Sequence, residues 1–389
     1  MSMQGEMSAP GEMIARGEMI AEDAITSVSC PRPMRPRVRR DLELATSLAR
    51  AAFGSELVAL LLVGGYARGE GGAMGDGPDA ASFNDYDLVA VVRRVDAVAH
   101  ENSREVSRIA TERVGIEVDV WPISAKAMKH PPATLFWLDV ALGGVVVLDG
   151  DEAILAGARK IDARAVPLEE AARLLVNRAT GLALSRLEGA SADPLRTAMH
   201  VYKAVLACGD ARLLAASAYE GTVRRRGRRL EALAAAGLAP EALASAYCEA
   251  ADFRLRPHRF VAPIDMDAWL DAWRVRIAEW HAAFETYRLG AKLTIADLVR
   301  RHAPLYPKRV DGMRFGLPAA LRAAVKGRAT LFPYVGHPRE RLARASIALA
   351  YLDATVSRVE GARWLGLDAA RVPPAQLRDL LIRLRDVGS

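Results

Sequence analysis

One stretch limits the fold more than any other. LVALLLV at 57–63 runs directly into Gly64-Gly65, and two further apolar runs follow it, each carrying acids two residues apart. A continuous apolar run of this length, closed by turn-forming glycines, reads as a buried central strand. NDYDLVAVV (84–92) contains Asp85 and Asp87, and GIEVDVWPI (115–123) contains Glu117 and Asp119. Side chains at i and i+2 of a strand share a face. If these two runs are neighbouring strands, three or four carboxylates converge on one patch of sheet.

Like charges at close range raise one another's pKa, so such a patch is costly without compensation. Divalent metal is the usual compensation, because hard cations such as Mg2+ take carboxylate oxygens and keep positions for water and substrate phosphates. The Gly-Gly turn falls where a strand would hand over to a helix, and backbone N–H groups at a helix start suit a phosphate. Phosphate cradle plus metal-binding carboxylates is the equipment of phosphoryl or nucleotidyl transfer.

The order hydrophobic-Gly-Gly, Asp-x-Asp, then an acid in a later strand resembles the DNA polymerase β-type nucleotidyltransferase superfamily. GGYARGEG (64–71) is similar to the GSxARGE-type turn of its minimal and aminoglycoside-type members. The resemblance covers roughly residues 41–150, with a weaker echo to about residue 235. It implies that Asp85 and Asp87 bind Mg2+ carrying a nucleoside triphosphate. It also implies that Asp119 bridges to a second Mg2+ and takes the proton of the attacking hydroxyl. Glu117 competes for that role, since both acids face one way; the Val118-Asp119-Val120 setting matches the family's hydrophobic-Asp-hydrophobic pattern and favours Asp119. Gly64 and Gly65 would hold the β- and γ-phosphates, Arg68 would pair a phosphate, and Lys203 would reach the triphosphate from the helical region. Glu70 reads as structural. Two departures stand out: glycine replaces the serine frequent at the second turn position, and GGAMGDGPDAASF (71–83) reads as an inserted mobile loop.

The chain has 389 residues, enough for two domains, with 51% hydrophobic and 26% charged residues, ordinary for a globular protein. Cys30, Cys208 and Cys248 show neither a disulfide framework nor zinc spacing, which fits a reducing cytoplasm. No apolar run approaches the roughly 18–20 residues of a membrane span, and the first residues lack a signal-peptide apolar core. A formal charge of +6 suits an anionic partner without demanding nucleic acid.

The expected fold class is α+β: a small mixed sheet, with helices on one side, followed by a mainly helical domain. Residues 1–40, with Gly-Glu-Met three times and the Pro/Arg-rich PRPMRPRVRR, read as a disordered arm, with a start codon set upstream of the real one as the alternative for residues 1–34. Residues 41–160 form the catalytic domain, opened by a helix capped by Asp41. Strands are expected at 57–63, 87–92, at IEVDVWPI up to Pro122, and at VVVL, with helices at 66–71, 96–114 and after 133. Residues 161–389 form the helical domain, with helices at 167–188, 193–209, 210–232, 239–251, 266–288, within 309–327, at 337–353 and at 374–386; Pro304 to Pro318 is the candidate break.

In that domain Tyr219 reads as core with a pocket role as its rival, and RRRGRR (224–229) as a solvated face rather than a polyphosphate or RNA site. Trp269, Trp273 and Trp280 fall at helical spacing and read as core. A small-molecule acceptor predicts an acidic pocket, for which Glu249, Asp252, Asp265, Asp267 and Asp271 are available; they also suit helix caps. The expectation is a Mg2+-dependent enzyme moving a nucleoside monophosphate, with ATP the favoured donor, to a hydroxyl of a small molecule or protein. An RNA-end transferase and a non-catalytic nucleotide sensor are the alternatives.

Overall fold

The computed structural model describes residues 34–76, 80–301, 338–365 and 373–386. The chain divides into two compact units. The first comprises residues up to Val166 together with Glu220–Arg225 and Asp252–Phe260; the second holds the rest. A single cut near residue 160 misses those two short returns.

The first unit is built on a four-stranded mixed sheet. Helix α1 (Arg35–Phe53) leads to β1 (Leu57–Val63), which enters the single-turn helix α2 (Gly64–Ala67). A two-stranded hairpin follows, β2 (Ala73–Met74) with β3 (Ala81–Ser82), then β4 (Tyr86–Val92), α3 (Ala97–Val114), β5 (Val118–Ser124), α4 (Ala125–Lys129), α5 (Leu135–Ala141) and β6 (Val145–Asp149). The strand order is β5-β4-β1-β6, antiparallel except for the parallel β4–β5 pair that α3 connects. Helix α3 starts where Asp96 accepts the Ala99 N–H at 3.0 Å and stops at Gly115.

The uninterrupted apolar character of β1 has a simple cause: both faces of the sheet are covered. Leu60, Leu62, Leu88 and Ala90 pack with α1 and α3 on one side. Ala59, Leu61, Val63, Val89 and Val91 pack with Met128, Trp137, Val140 and Leu155 on the other. Leu60, Leu61 and Leu62 are fully buried, each stabilising the fold by about 1.5–3 kcal/mol. Helices on one side only was therefore the wrong expectation.

Three further sequence expectations are corrected. Helix α1 begins at Arg35, so residues 35–40 are helical and Asp41 lies inside the helix instead of capping it. Its carboxylate accepts the Tyr86 hydroxyl at 3.1 Å, and burial raises its pKa, against the lowering effect of that bond and of Arg37 and Arg40. Strand β5 continues through Pro122 to Ser124; it is the sheet's edge, where a missing N–H leaves no ladder bond unmade. The inserted segment is not wholly irregular, since its arms pair Ala73 with Ser82 and Met74 with Ala81.

The second unit is helical among its described residues: α6 (Leu168–Glu188), α7 (Pro194–Ala215), the bulk of α8 (Val223–Ala235) and of α9 (Glu241–Leu255), α10 (Met266–Leu289), α11 (Ile295–Arg301), α12 (Pro338–Tyr351), α13 (Ala354–Leu365) and α14 (Pro374–Asp386). Helix α7 runs unbroken through Gly209, against the expected break there. A Cβ on Gly209 would stand 2.1 Å from Tyr247 Cδ2, so the glycine makes room for a buried ring and does not end a helix. Helices α11 and α13 were not expected. The helix expected within 309–327, and the candidate break at 304–318, lie outside the described residues. Among the described residues no helix is long and apolar enough to cross a membrane.

Candidate functional site

The site grows from the register of β4. Val63, the last residue of β1, pairs with Asp87, and Asp87 pairs with Asp119 on the parallel strand β5. Asp87 and Asp119 fall on the sheet face opposite Leu88, Ala90, Val118 and Val120, whose side chains enter the α1–α3 core, and Asp85, just before β4, acts on both through its charge. The two acid-bearing runs are thus neighbouring strands, as the sequence required for convergence. Glu117 precedes β5, is exposed, and contributes its backbone carbonyl to the Tyr86 N–H at 3.0 Å.

The electrostatics follow from this packing. Burial, with Asp85 and Asp119 as neighbours, pushes the Asp87 carboxyl up to about 7, while Arg254 and Arg68 pull it down. Partial burial and the Asp85 charge raise Asp119 as well, against a backbone N–H from Val120. It is Asp119, not Glu117, that acts on Asp87.

The Gly-Gly turn has tertiary reasons for its composition. Gly64 has φ of +71°, a region that side-chain-bearing residues adopt at a cost. A Cβ there would lie 2.1 Å from Asp87 Oδ2, so the carboxylate rests directly over the glycine. A Cβ on Gly65 would stand 2.8 Å from Arg254 Nη2. Helix α2 is four residues long, where the sequence reading carried a helix on to Gly71. So short a helix builds little macrodipole.

Arg68 is held by two carboxylates. Its Nε donates to Glu70 Oε2 at 3.0 Å and its Nη1 to Asp139 Oδ2 at 2.9 Å, with the guanidinium largely buried. Glu70 also accepts the Val223 backbone N–H, which bears out its structural reading and ties Glu220–Arg225 to the turn. The second return is tied in by Phe253 edge-on to Phe83 (6.3 Å) and by His258, whose Nδ1 lies 2.7 Å from the Ala73 carbonyl oxygen. Asp76 meets both His258 Nε2 (3.2 Å) and Arg259 (3.1 Å), which hold its pKa low, Arg259 foremost.

Arg254 is the site residue that sequence reasoning missed. The segment FRLRPHRF (253–260) is basic and aromatic, but in a chain this rich in arginine that signal is faint. Lys203 lies on α7 in the second unit. Tyr219 is buried beside Arg226, which sits 4.8 Å above its ring and pairs with Asp210 at 2.9 Å; Tyr247 donates to the same carboxylate at 2.7 Å. Core packing is therefore the role of Tyr219, and RRRGRR splits into buried Arg226 and exposed Arg224, Arg225, Arg228 and Arg229. Four of the five acids offered for an acceptor pocket have structural partners: Glu249 takes the Tyr202 hydroxyl, Asp265 caps α10, Asp267 takes the Ala190 N–H at 3.0 Å, and Asp271 pairs with Arg274. Trp273 is buried, and Trp269 packs against it at 6.1 Å, whereas Trp280 lines a cavity of about 420 Å3 within the second unit.

Among the described residues no three His, Cys, Asp or Glu side chains are arranged to hold a metal ion as they stand. The donor chemistry of Asp85, Asp87 and Asp119 nevertheless fits a hard divalent cation, whose charge would relieve the repulsion that raises Asp87 and Asp119.

Fold and site thus define an α+β unit with a carboxylate cluster beside a glycine turn. No family model matches the chain, and no curated protein or solved structure is significantly similar to it.

Proposed function

We propose that the first unit is a polymerase β-type nucleotidyltransferase domain and that the protein transfers a nucleoside monophosphate from a nucleoside triphosphate to an acceptor hydroxyl. The observation that carries this reading is the parallel register that pairs Asp87 with Asp119, with the Asp87 carboxylate over Gly64. Asp85 and Asp87 would hold Mg2+, with Asp119 shared with a second ion. Bound there, Mg2+ would supply neutralisation of the charge on the triphosphate.

The chain's own groups supply the remainder. Asp119 accepts the proton of the acceptor hydroxyl. The acceptor oxygen forms a bond to the α-phosphorus as the bond from that phosphorus to the pyrophosphate oxygen breaks; pyrophosphate leaves. Glycine at 64 and 65 makes room for the Asp87 carboxylate and the Arg254 guanidinium against the turn, where the triphosphate would lie. The acceptor is the hydroxyl of a small molecule or protein, and ATP is the favoured donor.

Calorimetry with ATP, GTP, CTP and UTP, with and without Mg2+, on wild type and the Asp85→Ala/Asp87→Ala double variant tests this. Mg2+-dependent binding of a nucleotide that the variant loses is the expected result. Absence of binding to wild type under every condition would refute it.

A further inference from the structure

The charge balance around the glycine turn singles out Arg254. Two guanidinium groups act on Asp87, those of Arg254 and Arg68. Arg68 is neutralised by Glu70 and Asp139, at 3.0 and 2.9 Å. Among the described residues Arg254 has no carboxylate at ion-pair distance, and its Nε is buried without a hydrogen-bond partner. A desolvated donor without an acceptor is a net cost in a folded chain, and such a group asks for an explanation.

The surroundings hold the side chain in position. Arg254 Nη2 occupies the space that a side chain on residue 65 would fill. Its own backbone carbonyl oxygen would be 2.7 Å from a Cβ on Gly72, so the main chain of Arg254 runs against one glycine and its side chain against another. Phe253 is wedged between Phe83 (6.3 Å) and Phe260 (5.7 Å), which fixes the strand of chain that carries the arginine. The result is a guanidinium beside a carboxylate cluster, over a bare glycine backbone, with donors unused.

We infer that Arg254 is the cationic contact for the phosphate chain of the nucleotide, taking the role that the sequence pattern assigns to Arg68. The inference rests on the nucleotidyltransferase reading. Phosphate oxygens match the guanidinium fork, which donates two parallel N–H bonds to one phosphate. The glycine at 65 lets that fork lie close to the turn. The chemical class bound is a polyphosphate, and the discriminating property is the number of phosphates, not the base.

The test is calorimetry on the full-length protein with Mg2+ and the mono-, di- and triphosphates of whichever nucleoside binds best, alongside inorganic tripolyphosphate. Wild type is compared with Arg254→Gln and Arg254→Lys, and thermal melts check that each variant folds. Wild type should bind more tightly with each added phosphate. Arg254→Gln should weaken triphosphate binding by about ten- to a hundredfold and flatten the dependence on phosphate number. Arg254→Lys, which keeps the charge but loses the fork, should fall between the two. A merely structural arginine would lower affinity for all three nucleotides alike. An Arg254→Gln variant with the wild-type dependence on phosphate number overturns the inference and leaves the nucleotide reading standing. Binding of tripolyphosphate but of no nucleotide, lost in Arg254→Gln, upholds the phosphate contact and refutes the nucleotide reading. No binding of either by wild type refutes both.

Discussion

Replacing Asp87 with asparagine should make the metal-free protein more stable at neutral pH, because the native carboxylate is held where its charge is unwelcome. Its pKa is raised from 3.8 to about 7, by burial first and by Asp85 and Asp119 second. A carboxyl raised on folding stays protonated in the native state at pH values where the unfolded chain has already ionised. Stability is therefore fully present below the unfolded value and is lost as pH rises toward the folded value. The slope is ~1.4 kcal/mol per pH unit over a window of roughly three units, so the loss reaches at most ~4 kcal/mol. Asparagine cannot ionise and removes this dependence, while any constant cost of the substitution cancels when the same pair of proteins is compared across pH. The difference in unfolding free energy, variant minus wild type, should rise by about 2–4 kcal/mol between about pH 4 and pH 8 and then level off. Two units need not unfold together. The assay is therefore urea denaturation, with chelator present, read by hydrogen exchange of the Leu57–Val63 and Tyr86–Val92 peptides, which belong to the first unit. A difference that stays flat across that range, or falls as pH rises, would refute the electrostatic account of the site.

The two glycines of the turn should respond differently to alanine. Gly64→Ala, at φ of +71° and beneath Asp87, should lose about 1–2 kcal/mol from backbone strain alone; Gly65→Ala, free of that strain but needing a shift of the Arg254 tip 2.8 Å away, should cost less, about 0.5–1 kcal/mol, and equal melting shifts for the two would contradict this. In the second unit, Asp210→Ala should cost about 3–5 kcal/mol, because it takes the paired carboxylate from the buried Arg226 and the acceptor from the Tyr247 hydroxyl; a thermal melt within a degree of wild type would show that the network carries no stability.

What the sequence determined by itself is what short-range chemistry can write. Seven apolar residues at 57–63 specify a buried strand, Asp96 and Gly115 bound a helix through their own local bonds, and the i, i+2 spacing of Asp85 and Asp87 puts both on one face. Each depends on neighbours within a few positions, so each is legible without the fold. What the tertiary structure decided depends on partners far along the chain. Asp41 looks like a cap, but the helix that contains it starts earlier, and its carboxylate is used by Tyr86. Gly209 looks like a break, but it receives the ring of Tyr247. Pro122 looks like a strand end, yet β5 lies at the sheet's edge, where no ladder bond needs its N–H. At the candidate site the same division holds. The three aspartates were visible in the sequence, whereas Arg68 turns out to be held by Glu70 and Asp139, and Arg254 arrives from a distant helix end. A side chain's charge is written in the sequence, but whether that charge is paired or left open is set by which other groups the fold brings within a few ångströms of it.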